Sequence, residues 1–511
     1  MRVFSPDRIL GQPSTWGGEG APIRSVNQRA TVGWKCCNGI RNGPREDTLG
    51  IAPSIYRVHT GRLDIAPVGT HLSAVRLPNL LASRRGRLAA FFLLYLTEGI
   101  PAGFTATAVA TQMRRQGLEP AAIGAFIGAL WVPWAVKWAF GPFVDVLSSD
   151  RWGRRRTWIL LTQTMMVVTL LAAMPVSFTT RLGLFTAIIL IHNVFSATQD
   201  VAIDALAVNV LRGDERGLAN GLMFGGNYVG NAIGGSGVLL LTPLIGFKAT
   251  FLFVAGAIAL VTLLVPAPMR ELPGPPRLAA SGSRLRAVGK ELARFVRETG
   301  KAFVGSRAAF VAIFLALLPM GGYALSLSLQ SNLAVELGLD DRRIGLLGLG
   351  STALSAGFCV LGGWLSDRFG RRRTLALFIV GTTLPTFAMA VAMHRFGWTM
   401  PISPQAPDRP IPPQDLVTIF WVLTLSYAVF QGLMYGVGTA IYMDVTTPAV
   451  AATQFTAYMA LCNVVYSYTS TWQGHALQRW GYPATLALDG AFGLVSVFLL
   501  PFMRLRRAAP R

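Results

Sequence analysis

The sequence predicts an all-α membrane protein, with twelve transmembrane helices in two six-helix repeats that run parallel to each other. Three observations carry this. Of 511 residues, 52% are hydrophobic and 14% charged, with a mean hydropathy of +0.47; a soluble globular chain carries roughly 25% charged residues. From Leu88 onward, apolar stretches recur, each long enough for the ~20 residues that a spanning helix needs. Finally, a pattern in the first half returns in the second at a nearly constant offset.

Residues 1–80 mix Gly, Pro, Ser and Arg without an apolar period, which predicts a disordered extension. They hold no apolar run long enough for a span or a signal peptide. The expected spans are 89–112, 121–146, 157–175, 182–210, 216–242 and 247–267, then 307–335, 343–366, 374–393, 415–443, 450–473 and 483–503. Short turns with Gly, Pro or charge separate them. Two links are longer: the basic 268–306, with an amphipathic piece at about 285–303, and the proline-rich 394–414. The domains are therefore a bundle at 88–267, a cytoplasmic linker at 268–306 and a second bundle at 307–505.

An even number of spans puts both termini on one side, and the Lys and Arg distribution says which. The side of the termini carries 26 such residues against 9 opposite, so both termini are expected in the cytoplasm. Most of the net charge of +22 is then explained by topology, which removes the case for a nucleic-acid partner. Four cysteines show no metal spacing, and no phosphate-binding loop or hydrolase motif occurs. Neither a cofactor, a metal nor an enzyme activity is called for. No feature of the sequence sets an oligomeric state.

The internal repeat pairs Gly117, Leu118, Ile123 and Gly124 with Gly338, Leu339, Ile344 and Gly345 at an offset of 221. Gly141 and Asp145 pair with Gly363 and Asp367 at 222. The second copy continues through Gly363-Trp364-Leu365-Ser366-Asp367-Arg368-Phe369-Gly370-Arg371-Arg372-Arg373. The first has five inserted residues before Arg151-Trp152-Gly153-Arg154-Arg155-Arg156, so Asp150 competes with Asp145 for the acidic role there.

This G-x-x-x-D-R-x-G-R-R-R loop resembles the signature of the major facilitator superfamily. The resemblance implies two parallel halves with a substrate site between them near the midplane. Leu130-Trp131-Val132-Pro133-Trp134-Ala135-Val136-Lys137-Trp138, and Ala197-Thr198-Gln199-Asp200-Val201-Ala202-Ile203-Asp204-Ala205 with Glu215-Arg216-Gly217, are similar to the AmpG-type muropeptide permeases. Acetyl-CoA transporters and some siderophore permeases share the Q-D-x-A-x-D pattern. The resemblance implies a secondary active transporter of an inner membrane, working by alternating access and driven by protons. Its partners would be a small solute, protons and the lipid bilayer. A muropeptide, a siderophore and a CoA-type anion all remain open, as does a non-transporting assembly or sensor protein on the same fold.

An ionisable side chain at mid-membrane costs about 2.5–3.5 kcal/mol on insertion scales, so each one is a functional candidate. Asn193, Asp200 and Asp204 fall on one stripe of the fourth span. Two carboxylates one turn apart repel in a low dielectric, which suits either a proton site or a structural pair bonded to a base such as Arg154. Glu98 heads a seam with Thr105 and Gln112 on the first span. Lys137 either meets an anionic solute or neutralises Asp200 or Glu98. His192 is either a proton relay or a neutral, satisfied side chain. The second half offers uncharged seams: Tyr323, Ser326 and Gln330; Gln431, Tyr435 and Tyr442; Asn463, Tyr466 and Ser467. They suit a solute with hydroxyls and amides, and equally suit bonding between helices. Gly226, Gly230 and Gly234 form a small-residue ridge that favours close helix packing, with Asn227 and Asn231 beside it. In the loops, Asp145, Arg154 and Arg155, with Asp367, Arg368, Arg371 and Arg372, are the candidates for a cytoplasmic gate, through helix dipoles and charge-assisted hydrogen bonds.

Overall fold

The computed structural model describes residues 79–147, 151–212, 215–271, 284–446 and 451–503, and all regular structure in them is helical. The expectations for residues 1–78, for Asp150, for the middle of the linker and for the side chains of Arg216 and Gly217 lie outside the described residues. In chain order the helices are α1 (Arg84–Arg115), α2 (Pro120–Val146), α3 (Arg154–Ala173), α4 (Leu182–Val210), α5 (Leu218–Ile245) and α6 (Phe247–Leu264). The linker forms α7 (Arg284–Val304), and after it come α8 (Arg307–Leu317), α9 (Ser328–Glu336), α10 (Asp341–Phe369), α11 (Arg371–Arg395), α12 (Gln414–Val445) and α13 (Ala451–Leu499). Ten of the described helices are long and apolar enough to cross a membrane. One is the stretch that contains α13, whose 49 residues turn at Gly481 (φ 74°).

The segment expected as one helix over 307–335 is broken. Residues 318–327 leave the helical path between α8 and α9. Pro319 lacks the N–H that a continuing helix would donate. The freed backbone is satisfied by a carboxylate from far along the chain: Tyr323 N and Ala324 N donate to Asp489 Oδ2 at 2.7 and 2.9 Å. Gln473 Nε2 holds the other oxygen of Asp489 at 2.7 Å. Irregular backbone at membrane depth is tolerated only where it is buried in protein or lines a cavity, and this break does both. Two other helices deviate more mildly. α1 widens into a π-helical turn at Phe104–Val109 just after Pro101, and α2 is interrupted at Val136–Ala139 after Pro133.

Close packing tracks the small residues. A methyl added to Gly226, Gly230 or Gly234 would lie 2.3, 2.5 or 1.8 Å from backbone oxygens of α1, at Phe92, Leu96 and Ile100. The ridge on α5 thus lets two backbones touch, as expected of small residues spaced by four. The glycines paired at offset 221 do the same job in each half. Gly124 of α2 meets Ser470 O of α13, and Gly345 of α10 meets Ser236 O of α5. The turns before them match too: Gly117 and Gly338 have φ of 85° and 75°, and Leu118 N and Leu339 N donate to Met113 O and Ala334 O, both at 3.1 Å.

Replacing Gly234 with Leu is expected to cost at least the ~1–3 kcal/mol of ordinary overpacking, read as a lowered melting temperature of the purified protein. Asp489→Ala is expected to cost about as much, because it strips the buried N–H groups of Tyr323 and Ala324 of their acceptor.

Candidate functional site

The ionisable candidates of the first half converge. α4 carries Asp200 and Asp204 one turn apart, and the break in α2 turns Lys137 toward them. Lys137 Nζ lies 2.6 Å from Asp200 Oδ2 and 5.6 Å from the Trp134 ring centroid. The lysine therefore pairs with Asp200, a role that the sequence leaves open between Lys137 and Arg154. Tyr95 OH donates to Asp204 Oδ1 at 2.5 Å. Asn193 belongs to the same face, accepting from Trp134 Nε1 at 3.3 Å and donating to Ile189 O at 3.0 Å. Glu98 on α1 is 2% exposed, and its Oε1 has no hydrogen-bond partner. His192 faces away, its Nδ1 3.0 Å from Thr169 Oγ1 and 3.1 Å from Met166 O.

Beside this cluster is a cavity of about 280 Å³ between the two halves of the chain. From the first half come Thr107, Asn227, Tyr228, Asn231 and Ser236, and from the second Ser326, Gln330, Ser331, Thr424, Gln431 and Tyr466 among others. Among the described residues that line it there is no Asp, Glu, Lys, Arg or His. The wall is hydroxyl, amide and aromatic. Such a site can hydrogen-bond a neutral polar solute from both sides and has no side-chain charge to pair with a strongly ionic one.

Of the predicted cavity residues, Gln330 and Gln431 line this space. Tyr323 packs edge-on against Tyr466 at 5.2 Å, and Tyr435 against Tyr228 at 6.5 Å. Asn463 Nδ2 donates to Trp134 O at 3.2 Å across the two halves, and Lys137 and Asn193 belong to the acidic cluster. On sequence grounds Asn227 and Asn231 only flank a packing ridge, and their place in the cavity wall is missed. Their spacing, one turn apart on an apolar helix, is the signal that could have found them.

The two basic loops adopt the same turn, with Gly153 and Gly370 at φ/ψ of 93°/131° and 90°/129°. Arg155 Nη2 pairs with Asp145 Oδ1 at 2.5 Å, and Arg156 donates to Pro266 O and Ala267 O at 2.9 and 2.5 Å. In the second loop, Arg371 pairs with Asp444 at 2.7 Å and Asp367 at 3.5 Å. Arg372 donates to Met503 O at 2.9 Å. Arg368 lies over Trp364 and Phe369, 5.7 and 5.8 Å from the ring centroids, and Arg154 opens α3. These bonds tie each loop to its own half. At the same end, Glu215 accepts from Arg87 Nε at 2.9 Å, and that hydrogen bond holds its carboxyl below the ordinary range.

Two ion pairs that cross between the halves lie at the opposite end. Arg114 pairs with the fully buried Glu336 and donates to Ile402 O at 2.8 Å. Arg115 Nε reaches Asp341 Oδ1 at 2.6 Å, and Gln112 Nε2 reaches its Oδ2 at 3.0 Å.

Removing Lys137 would leave Asp200 buried without a cation. Lys137→Met is expected to cost about 3–5 kcal/mol. The double variant Lys137→Met/Asp200→Asn should recover most of that loss, measured by thermal melting in a double-mutant cycle.

Comparison with known proteins places this architecture. A model described as Major Facilitator Superfamily matches residues 88–464 and, again, 309–511. The chain is 24% identical over 428 residues to the anhydromuropeptide permease of Escherichia coli (strain K12), covering 81% of this chain and 79% of that one. It is 26% identical over 184 residues to the putative transporter AmpG 4 of Rickettsia conorii, 35% of this chain and 44% of the relative. Its fold resembles the inward open xylose transporter XylE from E. coli, with a TM-score of 0.59, 14% identity and coverage of 83% and 98%.

Proposed function

The chain belongs to the Major Facilitator Superfamily, a multi-pass membrane transporter and not an enzyme, and from that premise we propose that it moves a sugar–peptide of the anhydromuropeptide kind across the inner membrane, coupled to protons. The observation that carries this reading is the cavity between the halves, whose uncharged hydroxyl and amide wall stands beside a buried acidic cluster. A solute rich in hydroxyls and amides matches that wall. A CoA-type anion would ask for cations that the lining lacks. The E. coli relative named an anhydromuropeptide permease supports the same choice.

The transport frame is twelve spans in two parallel repeats, 88–267 and 307–505, joined by the linker 268–306. α8 and α9 together serve as the seventh span, and the turn at Gly481 divides the last long helix into the eleventh and twelfth. The matched turns and glycines at offset 221 support the repeat. Both termini face the cytoplasm, in keeping with the 26 to 9 excess of basic residues. The end bearing Arg114, Glu336 and Asp341 is then periplasmic, and its ion pairs close the cavity on that side. In the alternate state the cytoplasmic loops take over, with Asp145, Arg154, Arg155, Asp367, Arg368, Arg371 and Arg372 exchanging partners within their halves for partners across them.

Proton coupling falls to Glu98, Asp200 and Asp204. Three carboxyl groups face one ammonium, Lys137, so charge balance leaves room for proton uptake and release as the cluster is exposed to each side in turn. In proteoliposomes with an imposed inward proton gradient, uptake of a labelled anhydromuropeptide should accelerate about tenfold or more, and Asp200→Asn should abolish the acceleration while leaving solute exchange intact. Uptake that is the same with and without the gradient would end the proton reading. No uptake of the muropeptide at all would end the substrate reading.

A further inference from the structure

The acidic cluster and the cavity are neighbours, and one side chain touches both. Asn227 on α5 lines the cavity, and its amide lies within hydrogen-bonding reach of the Glu98 carboxyl on α1. Helix packing sets up this meeting. A methyl added to Gly99 would lie 2.1 Å from Asn227 O and 2.8 Å from Asn231 N. The residue after Glu98 therefore sits against the α5 backbone at Asn227 itself, an approach that a glycine permits.

Glu98 differs from the other carboxyl groups of the cluster. Asp200 is bound by Lys137, and Asp204 by the Tyr95 hydroxyl. Glu98 is 2% exposed, keeps its Oε1 without a partner and does not itself line the cavity. The titratable groups facing it are Asp200 and Asp204 of α4, Lys137 of α2 and Tyr95 of α1. From α3 and α6 come neutral groups, which serve the adjacent Thr97. Gln163 Nε2 donates to Thr97 Oγ1 at 3.1 Å, and Thr262 Oγ1 donates to Gln163 Oε1 at 2.8 Å. The neutral donor that Glu98 shares with the cavity is thus the Asn227 amide.

A hydrogen bond to a carboxylate favours its ionised form, and a carboxylate that loses a donor takes a proton more readily. We propose that Asn227 couples solute to proton: a solute in the cavity draws the Asn227 amide off Glu98, and Glu98 takes up the proton that travels with the solute. The proton enters from the aqueous side to which the cluster is open. It leaves on the other side once the solute has gone and the amide has returned. Asn227 acts through Glu98, as a positioning residue. The inference rests on the proton-coupled reading of the cavity and the cluster.

The test sets Asn227→Ala against Asn231→Ala, which removes the amide one turn along the same wall. In proteoliposomes with labelled anhydromuropeptide, both variants should lose several-fold in apparent affinity. Asn227→Ala alone should also lose the acceleration by an inward proton gradient, while its remaining solute exchange shows that it is folded. A second measurement needs no solute. Infrared difference spectra of the purified protein across a pH series, with Glu98→Gln as the blank, follow the Glu98 carboxyl. Asn227→Ala should shift its titration by about one pH unit or more, and Asn231→Ala should leave it in place. Three results each overturn the inference: acceleration kept in Asn227→Ala, acceleration lost equally in both variants, or a Glu98 titration that Asn227→Ala leaves unmoved. Wild-type uptake indifferent to the gradient removes the proton reading and the inference with it. If the muropeptide is not transported at all, the substrate reading falls alone, and the infrared comparison decides the role of Asn227.

Discussion

In an apolar slab every polar group must find a partner inside the protein or have a use, and that constraint organises this molecule. Backbone groups are satisfied within helices, and the main interruption, between α8 and α9, is bound by Asp489 through two N–H groups. Charges obey the same rule. Asp200 has Lys137, and Asp204 has the hydroxyl of Tyr95. Arg114 and Glu336 hold each other between the halves. Among the buried side-chain atoms without a partner are Glu98 Oε1 in the acidic cluster, and Thr424 Oγ1 and Ser351 Oγ in the cavity wall. On the proposed reading, these are the groups that would meet a proton or a solute.

The division between packing and function runs along single helices. On α5, glycines at 226, 230 and 234 bring its backbone against α1, while Asn227 and Asn231 on the adjoining face line the cavity. A helix that carries both tasks transmits motion with little slack, since its glycines already allow backbone contact. α2 does likewise. Gly124 packs on α13, and the interruption near its other end aims Lys137 at Asp200.

The apolar periodicity announces the long helices because each has to be apolar along its length to be stable in lipid. The repeat announces the matched turns, since Gly117 and Gly338 take the same positive φ in both halves. The break at 318–327 is half legible: Pro319, Gly321 and Gly322 mark it, but the run is otherwise apolar and the carboxylate that binds it is 166 positions away. The pairing of Lys137 with Asp200 is half legible: both residues stand out, but a separation of 63 residues leaves the partner undecided. The cavity is harder still. Gln330 and Gln431 can be named from their seams, whereas Thr424 and Ser351 are small hydroxyls whose meaning comes only from what surrounds them. The ion pairs joining the halves, Arg114 with Glu336 and Arg115 with Asp341, depend on tertiary packing that no local pattern encodes.

The central claim is that the solute is held between the halves, beside the acidic cluster. A structure of the protein with a bound anhydromuropeptide tests it most directly. The account predicts the sugar–peptide in the cavity, touching Asn227 or Asn231 from one half and Gln330 and Gln431 from the other. A solute bound to one half alone, or outside that cavity, would contradict it.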